Sequence, residues 1–163
     1  MPAKVFFSFH YDPDHWRASQ VRNMGVIEKN PLASDNDWEQ IKKGGEPAIK
    51  KWIDGQMFGR SCAIVLIGQN TAGRKWIKYE IEKAWNDGKG VFGIYIHNLK
   101  NKESLQSTKG NNPFDDFTLK GSKLSTVVKA YDPPYTESTK AYAYISQNLA
   151  SWVTEANKLR GSY

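Results

Sequence analysis

The sequence has a single cysteine, Cys62, and that scarcity excludes a disulfide framework and the paired-cysteine patterns of structural zinc sites. Cys62 opens the apolar run CAIVLIG, where a small buried residue is expected rather than a catalytic thiol. No apolar run reaches the roughly 18 residues of a membrane-spanning helix, and the apolar core of MPAKVFFSFHYD is too short for a secretory signal. The chain reads as soluble and cytoplasmic. No GxxxxGK[ST], GxGxxG or GxSxG occurs, which removes the usual phosphate-loop, dinucleotide and nucleophile-elbow signatures. The three histidines, His10, His15 and His97, lie on separate elements without an HExxH partner, so no metal site is expected.

What is present points elsewhere. The 163 residues fit one domain, and no internal repeat or compositional shift marks a second. Lys and Arg number 23 against 17 Asp and Glu, a formal +6 that suits an anionic partner. The bases do not run consecutively or interleave with aromatics, so a small phosphorylated ligand is expected rather than nucleic acid. Six tryptophans, eight tyrosines and seven phenylalanines exceed what a minimal core needs and supply flat faces for a ring-bearing ligand.

Four short apolar runs read as buried parallel strands: residues 4–9, 63–68, 91–97 and 125–131, with a weaker fifth at 25–28. Helices are expected between them. Asp12-Pro13-Asp14 sets a start at Pro13, with Asp12 as the N-cap and the end near Asn23. A second helical region starts near Asp35 or Asp37, carries Trp38 and Ile41, breaks at Gly44-Gly45 and resumes at Pro47 with Ile49, Trp52, Ile53 and Met57 in helical spacing. Another follows QNTAG and ends at Gly88, and the last runs from about Thr136 to Leu159. Alternating strands and helices predict an α/β fold. Residues 98–124 are polar and irregular, anchored only by Leu99, Phe114, Phe117 and Leu119.

In an open parallel sheet, ligands bind beyond the carboxyl ends of the strands. That rule selects the loop Phe9-His10-Tyr11-Asp12, the loop from Gln69 to Gly73, and the start of the helix RKWIKYEIEKAW at residues 74–85. Projected at about 100° per residue, this helix places Ile77, Ile81, Ala84 and Trp85 on one side and Lys75, Lys78 and Glu82 opposite. Glu80 falls at the edge of the apolar stripe, one turn after Trp76, where its carboxyl is partly sheltered. A sheltered carboxylate beside an aromatic ring suits cleavage of an N-glycosidic bond, whose transition state carries positive charge on the sugar. The alternative is a helix-edge acid paired with a lysine. Arg17 and Arg22 could reach phosphates or simply be solvated, and Ser8 reads as a strand residue rather than a nucleophile.

VFFSFHYDPDHWRASQVRN, WIKYEIEKAW after IVLIG, and GIYIHNLK followed by NPFD together resemble the TIR-like proteins of the Thoeris anti-phage system, in order and over most of the chain. The resemblance implies a flavodoxin-like TIR fold, one TIR-like domain over residues 1–163, with a five-stranded, mostly parallel sheet and helices on both faces. It implies an NAD⁺ glycohydrolase or ADP-ribosyl cyclase needing no cofactor, NAD⁺ being its substrate. Glu80 matches the catalytic glutamate of TIR enzymes and Trp76 its aromatic neighbour. Phe9, His10, Tyr11 and Asp12 match the first-strand loop that lines the pocket. The implied product is a cyclic ADP-ribose isomer that activates a separate NAD-depleting effector. The region of the usual BB loop, residues 29–37, and the long 98–124 segment depart from animal TIR domains. The same fold also serves as a self-associating scaffold, or as a flavodoxin-like nucleotide binder, and these are the rival expectations.

Overall fold

Cys62–Ile67 (β2) and Gly90–Tyr95 (β3) are buried along their whole length, the expected state of strands covered on both faces. The computed structural model describes residues 4–25 and 41–163. Val5–Ser8 (β1) pairs parallel with β2, placing Ser8 opposite Val65, and β2 pairs parallel with β3 over six residues, from Cys62 opposite Gly90 to Ile67 opposite Tyr95. A short strand, Ala130–Tyr131 (β6), adds in parallel to the far side of β3. The order is β1-β2-β3-β6, and the two-residue strands Thr118–Leu119 (β4) and Ser122–Lys123 (β5) form a separate antiparallel hairpin.

The period of two sorts these strands into two cores. Val5 and Phe7, Cys62, Ile64 and Leu66, and Phe92 and Ile94 face one side, with Ala18, Val21, Ile145, Leu149 and Trp152 of helices Tyr11–Arg22 (α1) and Ser138–Arg160 (α4). Phe6, Ala63, Val65, Ile67 and Val91 face the other, with Ile49, Ile53 and Met57 of Gly45–Met57 (α2) and Ile77, Ile81 and Ala84 of Lys75–Asn86 (α3). Helices cover both faces, as expected for a flavodoxin-like or TIR fold.

Several sequence expectations need correction. The described sheet has four strands, and residues 26–28 of the weak fifth candidate lie outside the described residues, as do 29–37 and the helix start near Asp35 or Asp37 with Trp38. The strand expected over 125–131 is only Ala130–Tyr131. Ahead of it, Leu124–Thr126 forms a 3₁₀ turn in which the Val128 N–H donates to the Leu124 carbonyl at 2.8 Å, so Leu124 and Val128 are buried four residues apart rather than in alternation. α1 starts at Tyr11 with His10 at the cap position, leaving Asp12 and Asp14 in the first turn beside the positive helix end. The helix break at Gly44 stands as read, but the helix resumes two residues ahead of the expected Pro47: residues 41–43 are helical and α2 begins at Gly45, whose φ is +77°.

Residues 98–124 are ordered by specific ties. Leu99 and Phe114 are completely covered, and Asn112 Oδ1 accepts the Phe114 N–H at 2.9 Å to start the 3₁₀ turn Pro113–Asp116. Arg17 reaches this segment from α1: its Nε donates to the Leu99 carbonyl at 2.8 Å and its Nη2 to the Leu105 carbonyl at 2.9 Å. The segment then crosses the end of β2 so closely that a β-carbon on Gly110 would sit 2.7 Å from the Gln69 carbonyl oxygen.

Candidate active site

β1 and β2 end side by side, and the chain leaves each in a loop that turns away from the sheet, so a depression opens beyond their carboxyl ends. It is a cavity of about 880 Å³, large enough for a dinucleotide-sized ligand. Its walls come from the loop Phe9–Asp12 after β1, residues 69–74 after β2, Trp76 and Glu80 of α3, and Trp52 and Gln56 of α2. All six residues singled out from the sequence, Phe9, His10, Tyr11, Asp12, Trp76 and Glu80, line this one cavity.

Glu80 is more sheltered than helix projection suggests. Only 7% of it is exposed, whereas Glu82, two residues on, faces solvent. The rotation of α3 that buries Ile77, Ile81 and Ala84 carries Glu80 under the end of β1, where Ser8 Oγ donates to Glu80 Oε1 at 2.7 Å. Burial pushes the Glu80 carboxyl up to about 8, with the Ser8 hydrogen bond opposing the shift. No lysine pairs with Glu80 among the described residues, so the helix-edge ion pair does not form. Ser8 is the neighbour that sequence reasoning missed. Its signal was positional: in a strand alternating between two cores, Ser8 shares a face with Phe6, pointing a hydroxyl toward α3.

The aromatic wall is built from adjacent elements. Phe9 and Tyr11 stack with centroids 6.0 Å apart, and Tyr11 stacks on His15 at 5.1 Å. Trp76 is half-buried, with its ring edge-on to Tyr79 at 5.7 Å. Tyr79 donates to Asp54 Oδ1 at 2.7 Å, which ties α3 to α2 beside the cavity. Desolvation, helped by the positive charge of Arg74 and opposed by Asp12, holds the His10 imidazole below its ordinary range. Lys42, Arg74 and Lys75 make part of the lining cationic, and Lys75 also pairs with Glu46. Trp52, Gln56, Lys42 and Asn111 lie on elements whose approach to β1 and β2 only the tertiary fold reveals.

The remaining candidates go elsewhere. Arg17 binds no site open to a phosphate: it is buried against Asp14 at 2.9 Å and spends its other donors on backbone carbonyls. Arg22 sits at the end of α1 opposite the cavity. Cys62 is fully buried and its thiol is pushed up to about 12, which makes it a packing residue. Among the described residues, no three of His, Cys, Asp and Glu converge as metal ligands, and no helix is long and apolar enough to cross a membrane.

Comparison with known proteins agrees with this geometry. The family described as Thoeris protein ThsB, TIR-like domain, matches residues 6–101, a span that holds β1, α1, α2, β2, α3 and β3. A Bacillus cereus (strain MSX-D12) protein named "Putative cyclic ADP-D-ribose synthase ThsB1" is 40% identical over 120 residues, which are 71% of this chain and 62% of that relative. The chain thus matches less than two thirds of that relative's length. A parallel sheet covered by helices on both faces, a cavity beyond β1 and β2, and a family match over most of the same elements agree: the chain belongs to the Thoeris ThsB TIR-like family.

Proposed function

We propose that this protein cleaves NAD⁺ at the nicotinamide–ribose bond and closes the ADP-ribose into a cyclic isomer, which passes as a signal to a separate NAD-depleting effector. The observation that carries this reading is Glu80, a carboxyl buried at the carboxyl end of β1 within an aromatic-walled cavity and, among the described residues, paired with no cation. The cyclic ADP-D-ribose synthase in the name of the Bacillus cereus relative supports the same chemistry.

The roles follow from the lining. Trp76, with Phe9 or Tyr11, offers a flat face to nicotinamide, and Lys42, Arg74 and Lys75 offer positive charge to the diphosphate. His10 and Asp12, on the same loop, offer polar side chains to the ribose hydroxyls. As the C1′–N bond breaks, its electron pair leaves with nicotinamide and positive charge develops on the ribose. A carboxylate at Glu80 stabilises that charge in a site of low dielectric. Cyclisation then needs a hydroxyl or ring nitrogen of the same molecule to reach C1′ ahead of water, with a hydroxyl losing its proton as the new bond forms. The buried apolar residues Phe6, Ile53 and Ile77 in the lining favour exclusion of water from that step.

The test is to incubate purified protein with NAD⁺, alone and with lysate from phage-infected cells, and to measure nicotinamide and cyclic product for wild type and Glu80→Gln. Both products are expected from wild type and neither from the variant. Equal rates for the two would remove Glu80 from the chemistry, and concentration-dependent assembly without turnover would favour a scaffold.

A further inference from the structure

Glu80 has the surroundings of a neutral acid. Its hydrogen-bond partner is the Ser8 hydroxyl, which can also donate, more weakly, to the carbonyl oxygen of a protonated carboxyl, and it is 7% exposed. The elements packed around it supply little charge. On that side β1 presents Phe6 and Ser8, β2 presents Ala63, Val65 and Ile67, β3 presents Val91 and Tyr95, and α2 presents Ile49 and Ile53. Among the described residues, the charged or titratable groups facing the cavity besides Glu80 are His10, Tyr11 and Asp12 after β1, Lys42 ahead of α2, and Arg74 and Lys75 at the start of α3. None of these is an ion-pair partner of Glu80.

We propose that the Ser8–Glu80 pair is a receptor for cationic rings, in which seating a positively charged pyridinium expels one proton from Glu80 to solvent. This rests on the reading of Glu80 as the group beside the nicotinamide. The exchange balances: a neutral acid and a monocation become a carboxylate–cation pair and a released proton. Among the described residues Glu80 has no direct ion-pair partner, so a carboxylate there takes the ring as its partner and the ring gains one when the proton leaves. A neutral ring of the same shape drives no such exchange. The pocket therefore discriminates oxidised from reduced nicotinamide by charge before any bond breaks, and Ser8 is the positioning residue that keeps Oε1 in place through both protonation states.

The experiment uses 1-methylnicotinamide, methylated on the ring nitrogen and so a pyridinium with no glycosidic bond to cleave, and neutral nicotinamide as its uncharged counterpart. Binding is measured by calorimetry from pH 6 to pH 9 in buffers of differing ionisation enthalpy. For wild type, affinity for the cation is expected to rise about tenfold per pH unit and to level off near pH 8, where the carboxyl titrates. Close to one proton is released per ring bound below that point, while nicotinamide binds with little pH dependence. Glu80→Gln, which keeps an acceptor for Ser8, flattens the cation curve, whereas a slope owed to His10 would survive it. Ser8→Ala removes a donor that favours the carboxylate and moves the plateau to higher pH. A flat wild-type curve, a slope retained in Glu80→Gln, or no binding of the cation at millimolar concentration overturns the inference. Turnover of NAD⁺ is scored separately. Cleavage with a flat binding curve defeats the proton exchange alone, and proton-linked binding without cleavage defeats the proposed activity alone.

Discussion

The carboxylate of Asp14 lies against the α-carbon of Gly68, so that a β-carbon at that glycine would come within 2.8 Å of Asp14 Cγ. Asp14 is 2% exposed and ion-paired with Arg17, so it has no room to withdraw. Gly68→Ala is therefore expected to cost about 1–3 kcal/mol by overpacking, measured by urea unfolding. In an Asp14→Ala background that penalty should shrink, and a double-mutant cycle reads the coupling directly.

Asp14 and Arg17 form a buried pair whose separation strands a charge. Burial raises the Asp14 carboxyl while the Arg17 guanidinium opposes the rise. Asp14→Ala is expected to destabilise by roughly 3–5 kcal/mol. Replacing both by apolar residues should cost less than twice that, and thermal melts of the three variants check it.

The acidity of Glu80 sets a pH dependence of stability with a definite sign. Its folded midpoint, about 8, lies above the ordinary value of 4.5, so the native state holds the extra proton between those limits. Stability from this group is complete at low pH and is lost as pH rises, by about 1.4 kcal/mol per unit across that window. Wild type should weaken relative to Glu80→Gln from pH 5 to pH 8. Denaturant melts that run parallel for the two proteins would contradict it.

Trp76 and Arg74 act on different parts of a dinucleotide in the proposed reaction. Trp76→Ala is expected to lower kcat/KM for NAD⁺ by about 10–100-fold through loss of the ring face, with Trp76→Phe retaining most of it. Arg74→Glu should chiefly raise KM, by about tenfold, and weaken the dependence of KM on salt. Steady-state nicotinamide release at two ionic strengths separates the two effects.

The parts of this architecture that are legible in the sequence are those with a clean period. β2 and β3 show as unbroken apolar runs because helices cover both their faces, and α3 shows because its stripe of Ile77, Ile81 and Ala84 contrasts with lysines opposite. α1 is harder to read. Its buried stripe is Asp14, Arg17, Ala18 and Val21, correctly spaced for a helix but half charged, and only mutual pairing lets those charges go inside. β6 is short because the Val127 and Val128 N–H groups both donate back to the Leu124 carbonyl, which keeps the two valines in the turn and out of the sheet. At the site, Glu80 and Trp76 follow from one helix and one rule about strand ends. Ser8 is marked only by its place in the strand alternation, and Trp52 and Asn111 depend on which elements meet in space, which no local pattern encodes.

Arg17 holds the Leu99 carbonyl with one nitrogen and the Leu105 carbonyl with another, and exposed Lys102 lies between them. The two grips straddle an exposed tip. A chain cut by trypsin after Lys102 would thus leave two polypeptides clasped to the same guanidinium, with Phe114 still seated in the core on the far side of the cut. Such a nicked protein is expected to travel as one species on a sizing column and to come apart only in denaturant. The longest irregular stretch among the described residues would then be a place where covalent continuity is dispensable.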